Sequence, residues 1–122
     1  MSETVILSAV RSPIGRFLGG FSNTSATDLG SKVAAAALEG IDPSVVDEAL
    51  MGCVLQAGLG QNPARQIALG AGCPDHVTAM TINKVCGSGL EAAMQADRAI
   101  RCQDARVVLC GGTENMSRAP HT

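Results

Sequence analysis

The sequence predicts an α/β fold built on a mostly parallel sheet, and three observations lead to it. Short β-branched or apolar runs alternate with alanine-rich segments that carry helix start and stop residues. The order they give is β-α-β-α-β-α-β, and strands joined through helices pair in parallel with right-handed crossovers. Runs such as Val107-Val108-Leu109-Cys110 are apolar without alternation, as in strands buried on both faces.

Each element has a local reason. Residues 4–10, TVILSAV, are β-branched and apolar, which reads as a buried strand. Residues 11–25 hold Pro13 and a scatter of glycines and read as a long loop. A helix then opens at Ser25, three residues before Asp28, which resembles a capping box with a shorter carboxylate. Its body is alanine-rich and Gly40 supplies a stop; Gly30 inside it weakens the helix or lets another backbone approach. Asp42 and Pro43 form a cap and first turn, and the chain becomes strand-like over residues 48–55. Asn62 before Pro63 gives the cap and first position of a second helix, with Gly72 past its end. Residues 76–85, β-branched at 77, 78, 81, 82 and 85, make the strongest strand. Residues 87–104 follow as a helix with Leu90, Ala93, Met94, Ala96 and Ile100 at near-helical spacing. Residues 105–112 are a last strand, and the rest has no periodicity.

Composition narrows the class. A chain of 122 residues is one domain in length, and with only Phe17 and Phe21 as aromatics its core is aliphatic. A net charge of -2 offers no basic patch, so nucleic-acid binding is excluded. The N-terminus has neither a basic leader nor a signal-length apolar run, and no segment reaches the roughly 18 apolar residues of a membrane span. A cytoplasmic protein with no membrane role is expected. The five cysteines, 53, 73, 86, 102 and 110, are odd in number and form no C-x-x-C pair. His76 and His121 supply no ligand spacing with them, so no disulfide framework and no metal are expected, and the thiols should be reduced and mostly buried.

Cys86 stands apart. It lies where a β-branched strand meets Gly87-Ser88-Gly89 and a helix begins. A thiol attacks as the thiolate, which the partial positive charge at a helix start favours. Gly87 and Gly89 clear space for an electrophile, Ser88 can cap the turn, and first-turn amides can donate to an oxyanion. Local reasoning leaves a small buried filler as the other reading of Cys86. Cys53 and Cys110 fall in apolar strands and read as core; Cys73 and Cys102 read as structural. A phosphatase loop needs arginine where Ala92 stands, and a thioredoxin motif needs cysteine where Gly89 stands. Nothing in the sequence orients either histidine toward Cys86. The stretches GLGQNP and CGGTEN lack the residues of a phosphate loop and read as turns.

Residues 83–92, NKVCGSGLEA, resemble the active-cysteine signature of the thiolases. Residues 8–20 (SAVRSPIGRFLGG), 58–66 (GLGQNPARQ) and 111–121 (GGTENMSRAPH) resemble that family's other blocks in the same order. The form around the cysteine is similar to the short-chain, acetoacetyl-CoA type. The resemblance implies a thiolase-like N-terminal half in which Cys86 accepts an acyl group from a thioester. Two acetyl-CoA would then give acetoacetyl-CoA and CoA, reversibly, with coenzyme A as co-substrate and no permanently bound cofactor. It also implies that residues 1–122 are the N-terminal segment of the thiolase N-terminal domain. The loop domain, the C-terminal domain and the activating base would reside on a complementary C-terminal thiolase chain or fragment. Dimer contacts near the strand before Cys86, in a homo- or hetero-oligomer, belong to the same expectation. A sheet short of covering helices should expose an apolar patch until that partner is present. The alternatives are a 3-ketoacyl-CoA thiolase of broader chain length and a non-catalytic subunit or scaffold of a thiolase assembly.

Overall fold

A computed structural model describes residues 3–121. Its elements are α1 (Ala26–Ala37), a single 3-10 turn (Pro43–Val45), β1 (Glu48–Gly52), α2 (Pro63–Gly70), β2 (Thr78–Ile82), α3 (Ser88–Arg101) and β3 (Val108–Gly112). The strands form one parallel sheet in the order β2-β1-β3. Glu48 lies opposite Thr78 and Val108, and Gly52 opposite Ile82 and Gly112. All three strands therefore end at one level, and their carboxyl ends share one edge of the sheet.

The start signals act as the sequence predicts. The Ser25 hydroxyl accepts the Asp28 N–H at 3.0 Å, and the Asp42 carboxylate accepts the Ser44 N–H at 3.0 Å. The Asn62 side chain caps α2 with Pro63 in its first turn. Helices α1 and α2 cover one face of the sheet, where Ala34, Leu38, Ile67 and Ala68 pack on Ala49, Met51 and Leu109. Helix α3 covers the other face, with Ala92 and Ala96 on Leu50. β1 is thus buried on both sides; Leu50 and Ile67, essentially unexposed, each contribute roughly 1.5–3 kcal/mol by burial. A Cβ at Gly30 would stand 2.6 Å from Ile67 Cδ1, so any larger residue there makes the Ile67 side chain shift at the α1–α2 contact.

Four expectations change. Residues 4–10 form no strand: Val5, Ile6 and Leu7 are exposed, and no ladder partner lies beside them. A cavity of about 1050 Å³ separates this segment from the outer edge of β3, roofed by α1 and α3. Two strands are shorter than their apolar runs. β1 stops at Gly52 because the amides of Val54 and Leu55 turn to the Glu114 carboxylate. β2 stops at Ile82 because Asn83 begins a turn. On α3 the buried stripe is Ser88, Ala92 and Ala96, while Leu90 and Met94 face outward. Small residues win that face because the helix start lies against backbone at the end of β1. Cys53 and Cys73 are buried as expected, whereas Cys86, Cys102 and Cys110 are exposed. Cys110 is exposed because β3 is an edge strand bordering the cavity.

Among the described residues no helix is long and apolar enough to cross a membrane, and no three His, Cys, Asp or Glu side chains converge as a metal-ligand group.

Candidate active site

In parallel α/β sheets, ligands bind beyond the carboxyl ends of the strands, because the loops there are free to differ while the sheet holds them. Cys86 occupies that edge. It follows β2 by four positions and precedes α3 by two, and its thiol is free and exposed. The reading of Cys86 as a buried filler is thereby removed.

A tight corner carries it. The Val85 N–H donates to Asn83 Oδ1 at 3.0 Å, and the Lys84 N–H donates to Ser88 Oγ at 2.7 Å. The Ser88 hydroxyl in turn donates to the Val85 carbonyl at 2.6 Å. Between these bonds Val85 takes φ +48°, in the left-handed region. A β-branched side chain is a true outlier there, at a cost of order 1–3 kcal/mol.

The corner sits on the sheet through glycine. A Cβ at Gly52 would stand 2.5 Å from the Ser88 carbonyl carbon and 2.7 Å from the Gly89 nitrogen. Only a bare backbone at the end of β1 admits the first turn of α3 so closely. A Cβ at Gly89 itself would meet nothing within 4 Å, so that position faces open space.

The reserve of free amides is smaller than the sequence implied. The Gly87 N–H bonds to the Lys84 carbonyl at 3.0 Å and the Ser88 N–H to the Val85 carbonyl at 3.2 Å. The corner needs those bonds to close its turn. No side chain caps α3, however, so the positive end of its dipole lies at the turn that carries Cys86. Glu91, in the first turn, is neutralised: Lys84 reaches it at 3.1 Å and Arg98 at 3.3 Å. Hydrogen bonds from Lys84, then from Gln95, hold its carboxyl below the ordinary carboxylate range.

The edge is braced from β3. Glu114 binds the loop after β1, Thr113 Oγ1 donates to the Ala26 carbonyl at 2.6 Å, and Asn115 Nδ2 donates to the Phe21 and Thr24 carbonyls. Beside Glu114 lies Cys53, whose thiol is pushed up to about 11 by burial, then by the Glu114 charge and hydrogen bond. That thiol is chemically quiet.

Neither histidine bonds the Cys86 thiol among the described residues. His76 precedes β2 and so lies at the opposite end of the sheet from Cys86. No second cysteine among the described residues hydrogen-bonds that thiol. Sequence reasoning singled out Cys86 and the Ser88 hydroxyl but missed Asn83, Val85, Gly52 and Glu114. Asn83 had a signal, since asparagine closes turns onto an amide two residues on. Gly52 had none, because its neighbour is distant in the chain.

Known proteins are similar to this chain in sequence. A family model described as thiolase, N-terminal domain, matches residues 4–122. The acetyl-CoA acetyltransferase of Cupriavidus necator is 55% identical over 123 residues, covering 99% of this chain and 31% of that protein. A probable acetyl-CoA acetyltransferase of Escherichia coli strain K12 is 53% identical with the same coverage. The acetyl-CoA acetyltransferase of Schizosaccharomyces pombe is 51% identical, covering 98% of this chain and 31% of that protein. The chain thus spans about a third of the length of the curated relatives it matches.

Proposed function

We propose, from the premise that this chain belongs to the thiolase family, that Cys86 is the acyl-accepting nucleophile of an acetyl-CoA C-acetyltransferase. The observation that carries the reading is the free, exposed Cys86 thiol at the carboxyl edge of the sheet, before an uncapped helix. In the synthetic direction the thiolate attacks the acetyl-CoA carbonyl, and collapse of the tetrahedral intermediate expels CoA thiolate. S-acetyl-Cys86 remains. A base then removes an α-proton from a second acetyl-CoA, and the resulting carbanion attacks the acetyl group. Acetoacetyl-CoA forms and the Cys86 thiolate is released. Splitting one condensation into two transfers lowers each barrier, and the Cys86 amide serves as one oxyanion donor. Coenzyme A is co-substrate throughout, with no permanently bound cofactor. The names of the relatives favour this acetyl reaction over a broader 3-ketoacyl chain length.

Residues 1–122 are, on this reading, the N-terminal segment of the thiolase N-terminal domain. The base belongs to the complementary remainder, since no histidine among the described residues bonds Cys86. The cavity beside β3 supports the same division. An unpaired strand edge and the exposed Val5, Ile6 and Leu7 face it, and such groups call for cover by further chain. A cytoplasmic oligomer completes the reading.

The test is mass spectrometry of the complete assembly after exposure to acetyl-CoA. A 1:1 acetyl adduct on Cys86, lost on adding CoA, is expected. Absence of the adduct, or full activity in Cys86→Ala, refutes the catalytic role and leaves a scaffold.

A further inference from the structure

We propose that Ser88, assisted by Asn83, is a positioning residue that locks Val85 in its left-handed turn and thereby fixes the direction in which Cys86 is presented. This rests on the reading of Cys86 as the nucleophile. It adds a role for residues whose hydrogen bonds go to the backbone of the corner rather than to the Cys86 sulfur.

Both peptide groups of Val85 are held by side chains. Asn83 Oδ1 takes its N–H at 3.0 Å, and the Ser88 hydroxyl gives a hydrogen bond to its carbonyl at 2.6 Å. The same hydroxyl accepts the Lys84 N–H at 2.7 Å, so one oxygen spans two successive residues of the corner. Val85 cannot return to the extended region without breaking this set. Packing within this chain does not explain its conformation either: Val85 is 65% exposed here, so no burial against residues 3–121 offsets the unfavourable φ of +48°. Ser88, by contrast, is 4% exposed and wedged above Gly52. The fixed member of the pair is the serine, and the strained member is the residue that immediately precedes the thiol. A strained residue held by a rigid neighbour sets the path of the next Cα–Cβ bond, and a displacement of about 1 Å at a reacting atom costs around a hundredfold in rate.

The experiment uses the complete enzyme carrying this chain, with Ser88→Ala, Asn83→Ala, and each combined with Val85→Gly. Glycine adopts a positive φ without a clamp, so it should make the clamp dispensable. Kinetic constants for acetyl transfer and the rate of Cys86 alkylation by iodoacetamide are read together. Ser88→Ala is expected to lower kcat by about 10- to 100-fold with KM little changed, and Val85→Gly in the same chain to recover much of the loss. Wild-type kcat and alkylation in Ser88→Ala overturn the proposal. So does a loss that Val85→Gly leaves unrepaired, which assigns the serine to fold support alone. Asn83 is exposed, so the Asn83→Ala pair separates the same two outcomes should Ser88→Ala not fold. A wild-type Cys86 that never takes an acetyl group refutes the nucleophile reading instead, and the alkylation rates still decide the positioning role.

Discussion

Glu114 accepts the Val54 N–H at 2.8 Å, and its other oxygen takes the Leu55 N–H at 3.0 Å, so the chain leaving β3 holds the chain leaving β1. Hydrogen bonds to a charged acceptor are worth about 1.5–3 kcal/mol each when the donors have no other partner. Glu114→Ala should therefore destabilise the enzyme by roughly 3 kcal/mol, the low end for two such bonds because the Leu55 amide is exposed, and Glu114→Gln by about half as much. Urea denaturation of the complete enzyme reads this; unchanged midpoints in both variants contradict the brace.

Cys53 should be silent where Cys86 is not. Its thiol is raised from 9.0 to about 11, by burial first and then by Glu114. A folded-state value above the unfolded one favours the protonated, folded form. The associated stability is whole below pH 9.0 and is lost as pH rises toward about 11. Native iodoacetamide labelling near pH 8 (about one unit below that range), followed by peptide mapping, should modify Cys86 and spare Cys53. Rapid modification of Cys53 would show that the loop after β1 is not held closed.

Gly52→Ala should be disproportionately harmful for a single methyl group. The new Cβ would meet the Ser88 carbonyl carbon at 2.5 Å and the Gly89 nitrogen at 2.7 Å, both backbone, so α3 must lift. Overpacking of this kind costs about 1–3 kcal/mol. Because the lifted turn carries Cys86, activity should fall beyond what lost stability explains. Melting temperature and kcat, measured on the same preparation, separate the two effects.

Asp47 gives an acid-sensitive contribution at the other end of the sheet. Its carboxylate accepts the Arg106 N–H at 2.7 Å and the Val107 N–H at 3.1 Å, and these bonds, Arg106 first, hold it below the ordinary carboxylate range. A lowered folded-state value means that the stabilisation is present above the unfolded value and is lost as pH falls through the folded one. Asp47→Ala should cost about 1 kcal/mol near neutrality, since the site is exposed and screened. The gap to wild type should narrow as pH falls below the ordinary aspartate value of 3.8. A gap constant across that range would refute the electrostatic origin.

The sequence made most of the framework legible because the framework is local. Ser25, Asp42 and Asn62 each bond an amide two or three residues on, so caps and helix starts could be read directly. The place of Cys86 between β2 and α3 could be read because both neighbouring elements are local in sequence. Residues 4–10 misled because β-branched composition reports fitness for a sheet without supplying a neighbouring strand. Leu90 and Met94 misled because α3 turns its small residues inward, a choice set by Gly52, far upstream of Ser88 in the chain. The left-handed Val85 was invisible in the same way, since nothing about valine announces it.

The gap beside β3 has a consequence for biosynthesis. Val108, Leu109, Cys110, Gly111 and Gly112 include no lysine, proline or other deterrent to a foreign strand. While the gap stays empty, a nascent polypeptide presents that margin to every neighbour in a crowded cell, which makes it a client for holdase chaperones. On the proposed reading, co-synthesis with the complementary remainder should give more soluble material than synthesis of this chain alone, and equal solubility would contradict it.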